Sequence, residues 1–145
     1  MPERDSVHES IRQALINDGW NITHDPLVIH IGPKWVFVDL GVSSVISANR
    51  DEQKIAVEIK SFVGKSDMHN LEQAVGQFIV YQAILAEKDP ERTLFLALPD
   101  DAYERVFTDE LGQLLLNCSI LRLIVCDTMN EEIIQWIPLN TINEA

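Results

Sequence analysis

Positions 55, 57 and 59 are β-branched and apolar, and the charged residues of the segment 54–62 all lie at even positions, which is the pattern of a β-strand. Because strand side chains point alternately to opposite faces of a sheet, Ile55, Val57 and Ile59 are predicted to share one face. The opposite face then carries Ala56, Glu58, Lys60 and Phe62. A carboxylate and an ammonium group therefore lie on one face of a core strand, where charges are rarely buried without a partner.

The same reading of the whole chain predicts an alternation of helices and strands around this central strand. Helices are expected over 6–18, 67–86 and most of 100–116, and strands over 27–31, 34–40, 54–62, 93–98, 120–126 and 133–137. Residues 20–23 lead into a turn or edge feature at His24-Asp25-Pro26, and residues 41–53 are predicted to be irregular or a short helix. The order α-β-β-β-α-β-α-β-β predicts a single α/β domain over 1–145, a mixed sheet with helices on its faces.

The segment 67–86 has the clearest helical periodicity. Its predicted buried face comprises Leu71, Ala74, Val75, Phe78, Ile79, Gln82 and Leu85. Gly76 lies within the helix, and a mid-helix glycine often marks a close approach to another backbone, here the sheet. A polar stripe flanks the apolar face, formed by Asn70, Gln73, Gln77 and Tyr81. This stripe is either ordinary solvated surface, or Gln77 and Tyr81 border a cleft one helical turn apart.

The chain of 145 residues has a net charge of −12, which argues against a general nucleic-acid binder. The charge is uneven, because residues 87–110 hold eight acids against three basic residues and residues 127–145 hold four acids and no base. Residues 50–65 hold four basic residues against three acids. Contact with a phosphate is therefore expected near the central strand, whereas the acidic segments suit a basic protein partner.

Features that mark export or membrane insertion are missing from the sequence. No apolar run approaches the roughly 20 residues that span a bilayer. The polar start of the chain lacks the apolar core of a signal peptide. Cys118 and Cys126 have apolar neighbours and are predicted to be buried free thiols, and Glu9 is expected in solvent. These features predict a cytoplasmic protein.

Three residues on two predicted strands suggest chemistry. Asp39 ends the strand over 34–40, and Glu58 and Lys60 lie on the central strand. Asp39 either caps the following turn or joins Glu58 as a metal ligand, while Glu58 and Lys60 form either a surface ion pair or a site. Two carboxylates and water suit Mg²⁺, with Mn²⁺ as a substitute, and a lysine beside them can act on water or phosphate. Without metal, repulsion between converging acids should raise the pKa of one, and Lys60 should oppose that rise.

The pattern Asp39…Glu58-x-Lys60, followed by a helix, resembles the PD-(D/E)XK nuclease superfamily. The resemblance implies a restriction endonuclease-like αβββαβ core. It also implies that Asp39, Glu58, Lys60 and Gln77 are the catalytic residues, with Asp39 and Glu58 as ligands of Mg²⁺.

A closer resemblance, to the XisH family of fdxN element excision controlling factors, covers almost the whole chain. It rests on Asp18-Gly19-Trp20, Ile22-Thr23-His24-Asp25-Pro26, Val38-Asp39-Leu40-Gly41, the segment 54–62, Gly76-Gln77 with Tyr81, and Leu123-Ile124-Val125. The resemblance implies a role in programmed excision of a DNA element. Its implied partners are DNA, a site-specific recombinase and an XisI-like companion protein; a homo-oligomer is left open.

The chain departs from the XisH pattern at two positions. Ser43 and Asn49 stand where family members usually have glutamate. If those glutamates help to hold metal, this chain binds it weakly or not at all. Two functions therefore compete: a magnesium-dependent endonuclease, and a non-catalytic regulatory factor that retains the nuclease fold.

Overall fold

A computed structural model describes residues 6–45, 52–64 and 66–139. Within these ranges the helices are α1 Ser6–Asn17, α2 Asp67–Lys88, α3 Asp100–Val106 and α4 Glu110–Asn117. The strands are β1 Asn21–His24, β2 Leu27–Ile31, β3 Lys34–Val38, β4 Leu40–Val45, β5 Glu52–Ile59, β6 Arg92–Pro99, β7 Leu123–Asp127 and β8 Glu132–Ile137. None of the helices in the described ranges has the length and apolar character that a membrane span requires.

Six strands form one mixed sheet in the order β1-β4-β5-β6-β7-β8. β5 pairs with β4 in antiparallel and with β6 in parallel orientation, and β6 and β7 are also parallel. The antiparallel hairpin β2–β3 forms a separate two-stranded sheet. The predicted α/β fold with a mixed sheet is therefore confirmed.

Helices cover both faces of the sheet, as predicted. α1 packs on one face, in a core formed by Ile11, Ala14, Leu15, Trp20, Leu40, Val42, Ile55, Val57, Phe95, Ala97, Ile124 and Cys126. The hairpin β2–β3 and the helices α2, α3 and α4 pack on the other face, where Ala56 and Phe62 join the core. The predicted alternation of β5 is confirmed, and it places Glu58 and Lys60 on the same side as α2.

The strands around Asp39 differ from the prediction. The expected strand over 34–40 ends at Val38, and Leu40 begins β4, so Asp39 lies at the bend between two sheets. The segment 41–53 was predicted to be irregular or a short helix, but residues 41–45 belong to β4 and residues 52–53 begin β5. Residues 46–51 lie outside the described residues. β1 was also missed. Both missed strands have a weak local tendency to form a strand. They form because neighbouring strands of the sheet pair with their backbones.

Several helical predictions were wrong in detail. The segment 100–116 divides into α3 and α4. Gly76 does not approach another backbone, since a Cβ built there meets no atom within 4 Å. Ile79 is 53% exposed, and the buried face of α2 uses Ile84 instead.

The prediction that both cysteines are buried was correct for one of them. Cys126 is buried but Cys118 is exposed, at the end of α4.

Candidate functional site

The bend between β3 and β4 places Asp39 beside the carboxyl end of β5. Leu40 pairs with Val57 in the antiparallel register of β4 and β5, so the residue before Leu40 lies next to the residue after Val57. That pairing brings Asp39 to Glu58. The two acids therefore meet because the chain passes from the hairpin β2–β3 into the main sheet at Asp39.

Two hydrogen bonds from backbone amides hold the acids together. The amide of Asp39 donates to Oε1 of Glu58 at 3.2 Å. The amide of Ile59 donates to Oδ2 of Asp39 at 2.8 Å. Because each carboxylate is anchored by the backbone of the other segment, the positions of both side chains are fixed by the fold.

Lys60 completes the group at the end of β5. Its Nζ lies 3.7 Å from Oε2 of Glu58, and the side chains of Lys60 and Glu58 are 33% and 13% exposed. The amide of Lys60 donates to the carbonyl of Ala97 at 2.9 Å, which extends the pairing with β6 past the end of β5. The structure therefore brings Asp39, Glu58 and Lys60 to one point, and solvent reaches that point from the lysine side.

The environment raises the pKa of Glu58 from its ordinary 4.5 to about 7. Burial is the largest cause, and the negative charge of Asp39 is the second. The charge of Lys60 and the hydrogen bond from the Asp39 amide act in the opposite direction. The predicted rise and the opposing effect of Lys60 are both confirmed, but desolvation exceeds repulsion between the acids.

Gln77 and Tyr81 face this group from α2. Nε2 of Gln77 donates to the hydroxyl of Tyr81 at 3.0 Å. Burial raises the pKa of Tyr81, and so do the negative charges of Glu58 and, more weakly, Asp39, which indicates that the phenol lies near the two acids. Oε1 of Gln77 is buried and accepts no hydrogen bond from the described residues. The interpretation of Gln77 and Tyr81 as the border of a cleft is therefore favoured over solvated surface.

Arg105 of α3 fixes the segment that follows β5, a role that sequence analysis missed. It donates through Nη2 to the carbonyl of Phe62 and through Nε to Asp67 at 3.1 Å. Phe62 is buried and has a φ of 57°, which a non-glycine residue adopts only when packing compensates. Arg105 thus ties the segment that carries Lys60 to the first turn of α2. No motif in the sequence marks this arginine.

The donor set suits a magnesium ion. The two amide hydrogen bonds use Oδ2 of Asp39 and Oε1 of Glu58, and Oε2 of Glu58 lies 3.7 Å from Nζ of Lys60. Mg²⁺ is commonly held by one or two carboxylates and keeps several waters. No cluster of three or more His, Cys, Asp or Glu side chains that could hold a metal occurs in residues 6–45, 52–64 and 66–139. Asp39 and Glu58 would therefore be the carboxylate ligands.

Position 43, where the resemblance implies a glutamate, lies away from the group. Ser43 is buried in β4 and pairs with Lys54, four residues from Glu58 on β5. At about 3.3 Å per residue, this separation is roughly 13 Å. A glutamate at position 43 would therefore not reach the pair, and its replacement by serine leaves the carboxylate pair unchanged. Asn49 lies outside the described residues.

The segment His24-Asp25-Pro26 supports the fold and does not join the site. Nε of Arg12 on α1 lies 2.9 Å from Oδ2 of Asp25. The ring of His24 packs against Gly41, so closely that a Cβ at position 41 would lie 3.0 Å from its Nδ1. These contacts join α1 and β1 to β4. Glu9 is exposed, as predicted.

Comparisons with known proteins agree with these observations. The family model described as XisH protein matches residues 1–134. The crystal structure of an XisH family protein from Nostoc punctiforme PCC 73102 is 34% identical, with a TM-score of 0.81, and the match covers 92% of this chain and 99% of that one. A fdxN element excision controlling factor protein from Anabaena variabilis is 36% identical, with a TM-score of 0.80 and the same coverage. Curated proteins give no match.

Proposed function

The chain belongs to the XisH family, and from this premise we propose that it is an excision controlling factor that acts on DNA by metal-dependent phosphodiester hydrolysis. The observation that carries the proposal is the convergence of Asp39, Glu58 and Lys60 through backbone hydrogen bonds and a 3.7 Å ion pair. A carboxylate pair anchored in this way, with a lysine at its solvent side, suits the attack of water on a phosphodiester.

Each member of the group has a distinct part in this chemistry. Asp39 and Glu58 would hold Mg²⁺, which when bound supplies a Lewis acid for a phosphate oxygen and lowers the pKa of bound water. Lys60 is placed to orient the attacking water and to offset negative charge on the phosphate. Gln77, whose buried Oε1 accepts no hydrogen bond from the described residues, would fix a water or a sugar-phosphate group on the α2 side.

The pKa of Glu58 links this function to pH. At its pKa of about 7, half of the metal-free molecules retain a proton on Glu58 at neutral pH. Since a carboxylate must lose its proton to bind a cation, metal affinity should fall as the pH drops below about 7. Activity should follow the same dependence on the acid side.

A second candidate function, a non-catalytic factor in a recombination complex, is favoured by the charge of the molecule. A net charge of −12 opposes extended contact with DNA. On this account the acidic segments 87–110 and 127–145 meet a basic, XisI-like companion protein, and a recombinase does the cutting. Metal binding by Asp39 and Glu58 would then serve structure or regulation.

Two measurements on the same variants separate these functions. Isothermal titration with Mg²⁺ or Mn²⁺ reports metal binding, and nicking of supercoiled plasmid reports hydrolysis. Glu58→Gln should weaken both. Measured at a pH well above the pKa of Glu58, Lys60→Ala should retain metal binding, because an ammonium group is not a ligand, but should abolish nicking.

The control is Glu72→Gln, which changes an exposed carboxylate on α2 and should alter neither quantity. Wild-type protein that binds metal but nicks no plasmid, alone or with a companion protein, would support the non-catalytic function. Nicking that survives Lys60→Ala would contradict the proposed role of the lysine.

A further inference from the structure

The outer face of the hairpin β2–β3 exposes an apolar and aromatic patch. Its inner residues Leu27, Ile29 and Val38 are buried in the core. The residues that alternate with these form the outer hairpin face, defined as Val28, His30, Trp35 and Phe37. Val28 pairs with Phe37 and His30 pairs with Trp35, so the four side chains form one continuous patch.

Large apolar side chains are unusually exposed on this face. Val28, Trp35 and Phe37 are 43%, 59% and 56% exposed. The rings of His30 and Trp35 pack edge to face, which restricts the rotation of the tryptophan. A restricted, exposed aromatic ring loses little entropy when a flat group stacks on it.

The charge near this face is unlike that of the rest of the chain. Residues 26–38 contain none of the 23 acidic residues, and Lys34 lies at the turn of the hairpin. The hairpin itself therefore contributes no negative charge that would repel a polyanion.

The outer hairpin face leads directly to the candidate site. Phe37 and Trp35 precede Asp39 by two and four residues, which is roughly 7 and 13 Å along an extended strand. The strand that carries both rings therefore ends at the bend that holds Asp39.

We infer that the outer hairpin face binds an unpaired DNA strand by stacking its bases on Trp35 and Phe37. The inference rests on the proposed function for its class of ligand. In a duplex the faces of internal bases are covered by their neighbours, so the rings can stack on bases only where the strand is unpaired. Two exposed aromatic rings suit the stacking of one or two bases.

The test uses fluorescence anisotropy of the full chain with a labelled single strand, the corresponding duplex, and a fork that carries unpaired ends. Trp35→Ala should weaken the affinity for the single strand and the fork roughly five- to hundredfold. Trp35→Phe, which keeps an aromatic ring, should retain most of the wild-type affinity. Duplex affinity should not change. Leu114→Ala, which truncates a side chain of similar exposure on α4, is the matched control.

Salt dependence and tryptophan fluorescence provide independent readouts. Because stacking dominates, a plot of the logarithm of affinity against the logarithm of salt concentration should have a shallow slope. If Lys34 contacts one phosphate, Lys34→Ala should reduce the magnitude of this slope by about 0.7. The single strand should shield the fluorescence of Trp35 from acrylamide. The signal of Trp35 is taken as the difference between wild type and Trp35→Phe, since Trp136 is only partly buried and also contributes, whereas Trp20 is buried.

Each outcome decides the inference. No binding of the single strand, or binding that Trp35→Ala leaves unchanged, overturns it, even where plasmid nicking upholds the proposed function. Trp35-dependent binding without any nicking upholds the inference and counts against hydrolysis. If Trp35→Ala instead disrupts only self-association or a protein complex, the outer hairpin face is a protein interface and the inference is wrong.

Discussion

The amide of Asp39 donates to Oε1 of Glu58 at 3.2 Å, although the two residues are 19 positions apart. This contact joins two like charges in a partly buried place. Burial and the charge of Asp39 both disfavour the ionised form of Glu58, and the fold retains the pair nonetheless. Strongly perturbed acids of this kind are concentrated at functional sites, because catalytic groups need pKa values matched to their task.

Glu58→Gln should stabilise the folded protein at high pH. The pKa of Glu58 is about 7 in the folded state and close to 4.5 in the unfolded chain, so the folded state retains a proton between these values that the unfolded state has lost. The free energy of unfolding of the wild type therefore falls as the pH rises through this range, by up to about 3 kcal/mol. The neutral glutamine removes this loss and still accepts the hydrogen bond from Asp39.

Urea unfolding of both proteins near pH 4.5 and near pH 8 checks this prediction. The advantage of Glu58→Gln should be small at the lower pH and about 1–3 kcal/mol at the higher one. Glu72→Gln, on the exposed face of α2, should show no such growth with pH. An advantage of Glu58→Gln that is equal at both pH values would show that Glu58 does not titrate in this range.

Substitution of the two neighbours should move the pKa of Glu58 in opposite directions. Asp39→Asn removes a repelling charge, so the pKa should fall below about 7 but stay above 4.5, because burial remains. Lys60→Ala removes the opposing positive charge, so the pKa should rise. Carboxyl ¹³C NMR titration without metal measures both shifts. The control is Lys54→Ala, which should leave the pKa of Glu58 nearly unchanged because the ammonium group of Lys54 lies beside Glu91. Shifts of equal sign in Asp39→Asn and Lys60→Ala would refute the assigned causes.

The sequence predicted the central strand and its chemistry because both depend on strong local patterns. Ile55, Val57 and Ile59 recur at every second position, and this spacing set the faces of β5 correctly. β4 was missed because Gly41, Ser43 and Ser44 have little tendency to form a strand on their own. It forms because β1 and β5 offer partners on both sides.

The errors on α2 have a different origin. This helix has apolar residues on nearly every side, so hydrophobic periodicity does not distinguish its buried face from its exposed one. Ile79 and Gly76 were therefore assigned to the sheet side, and both lie in solvent. The anchoring amides of Asp39 and Ile59 were not predictable either, because backbone contacts across 20 positions follow from the register of β4 and β5.

A basic companion protein should depend on the acidic surface at α3 for binding. Asp100, Asp101 and Glu104 line a shallow pocket together with Ile134 of β8. Complementary charge speeds association and is screened by salt, so the complex should weaken as salt concentration rises. Glu104→Lys should weaken it further and flatten the salt dependence, as measured by isothermal titration with an XisI-like protein.

Glu72→Lys makes the same change of charge on the exposed face of α2 and serves as the control for that experiment. A complex that resists high salt, or that responds equally to both reversals, would contradict an electrostatic interface at α3.

Ser43→Glu, which introduces the acid that the resemblance implies at this position, should change the pairing of β4 and β5 and not the proposed metal site. Ser43 lies opposite Lys54, and directly opposed residues of an antiparallel pair have their side chains on the same face. The new carboxylate should therefore meet the ammonium group of Lys54, roughly 13 Å from Glu58. Affinity for Mg²⁺ or Mn²⁺ should stay within about twofold of wild type, since only groups at the Asp39–Glu58 pair contribute ligands.

Stability measurements on a double-mutant cycle test that placement. Oppositely charged cross-strand pairs contribute roughly 0.2–1 kcal/mol, so Ser43→Glu should destabilise the protein more in a Lys54→Ala background than alone. Urea unfolding of the four proteins gives the coupling, and metal titration of Ser43→Glu gives the ligand test. A coupling near zero together with a large gain in metal affinity would place position 43 at the metal site and overturn the geometry argued for it.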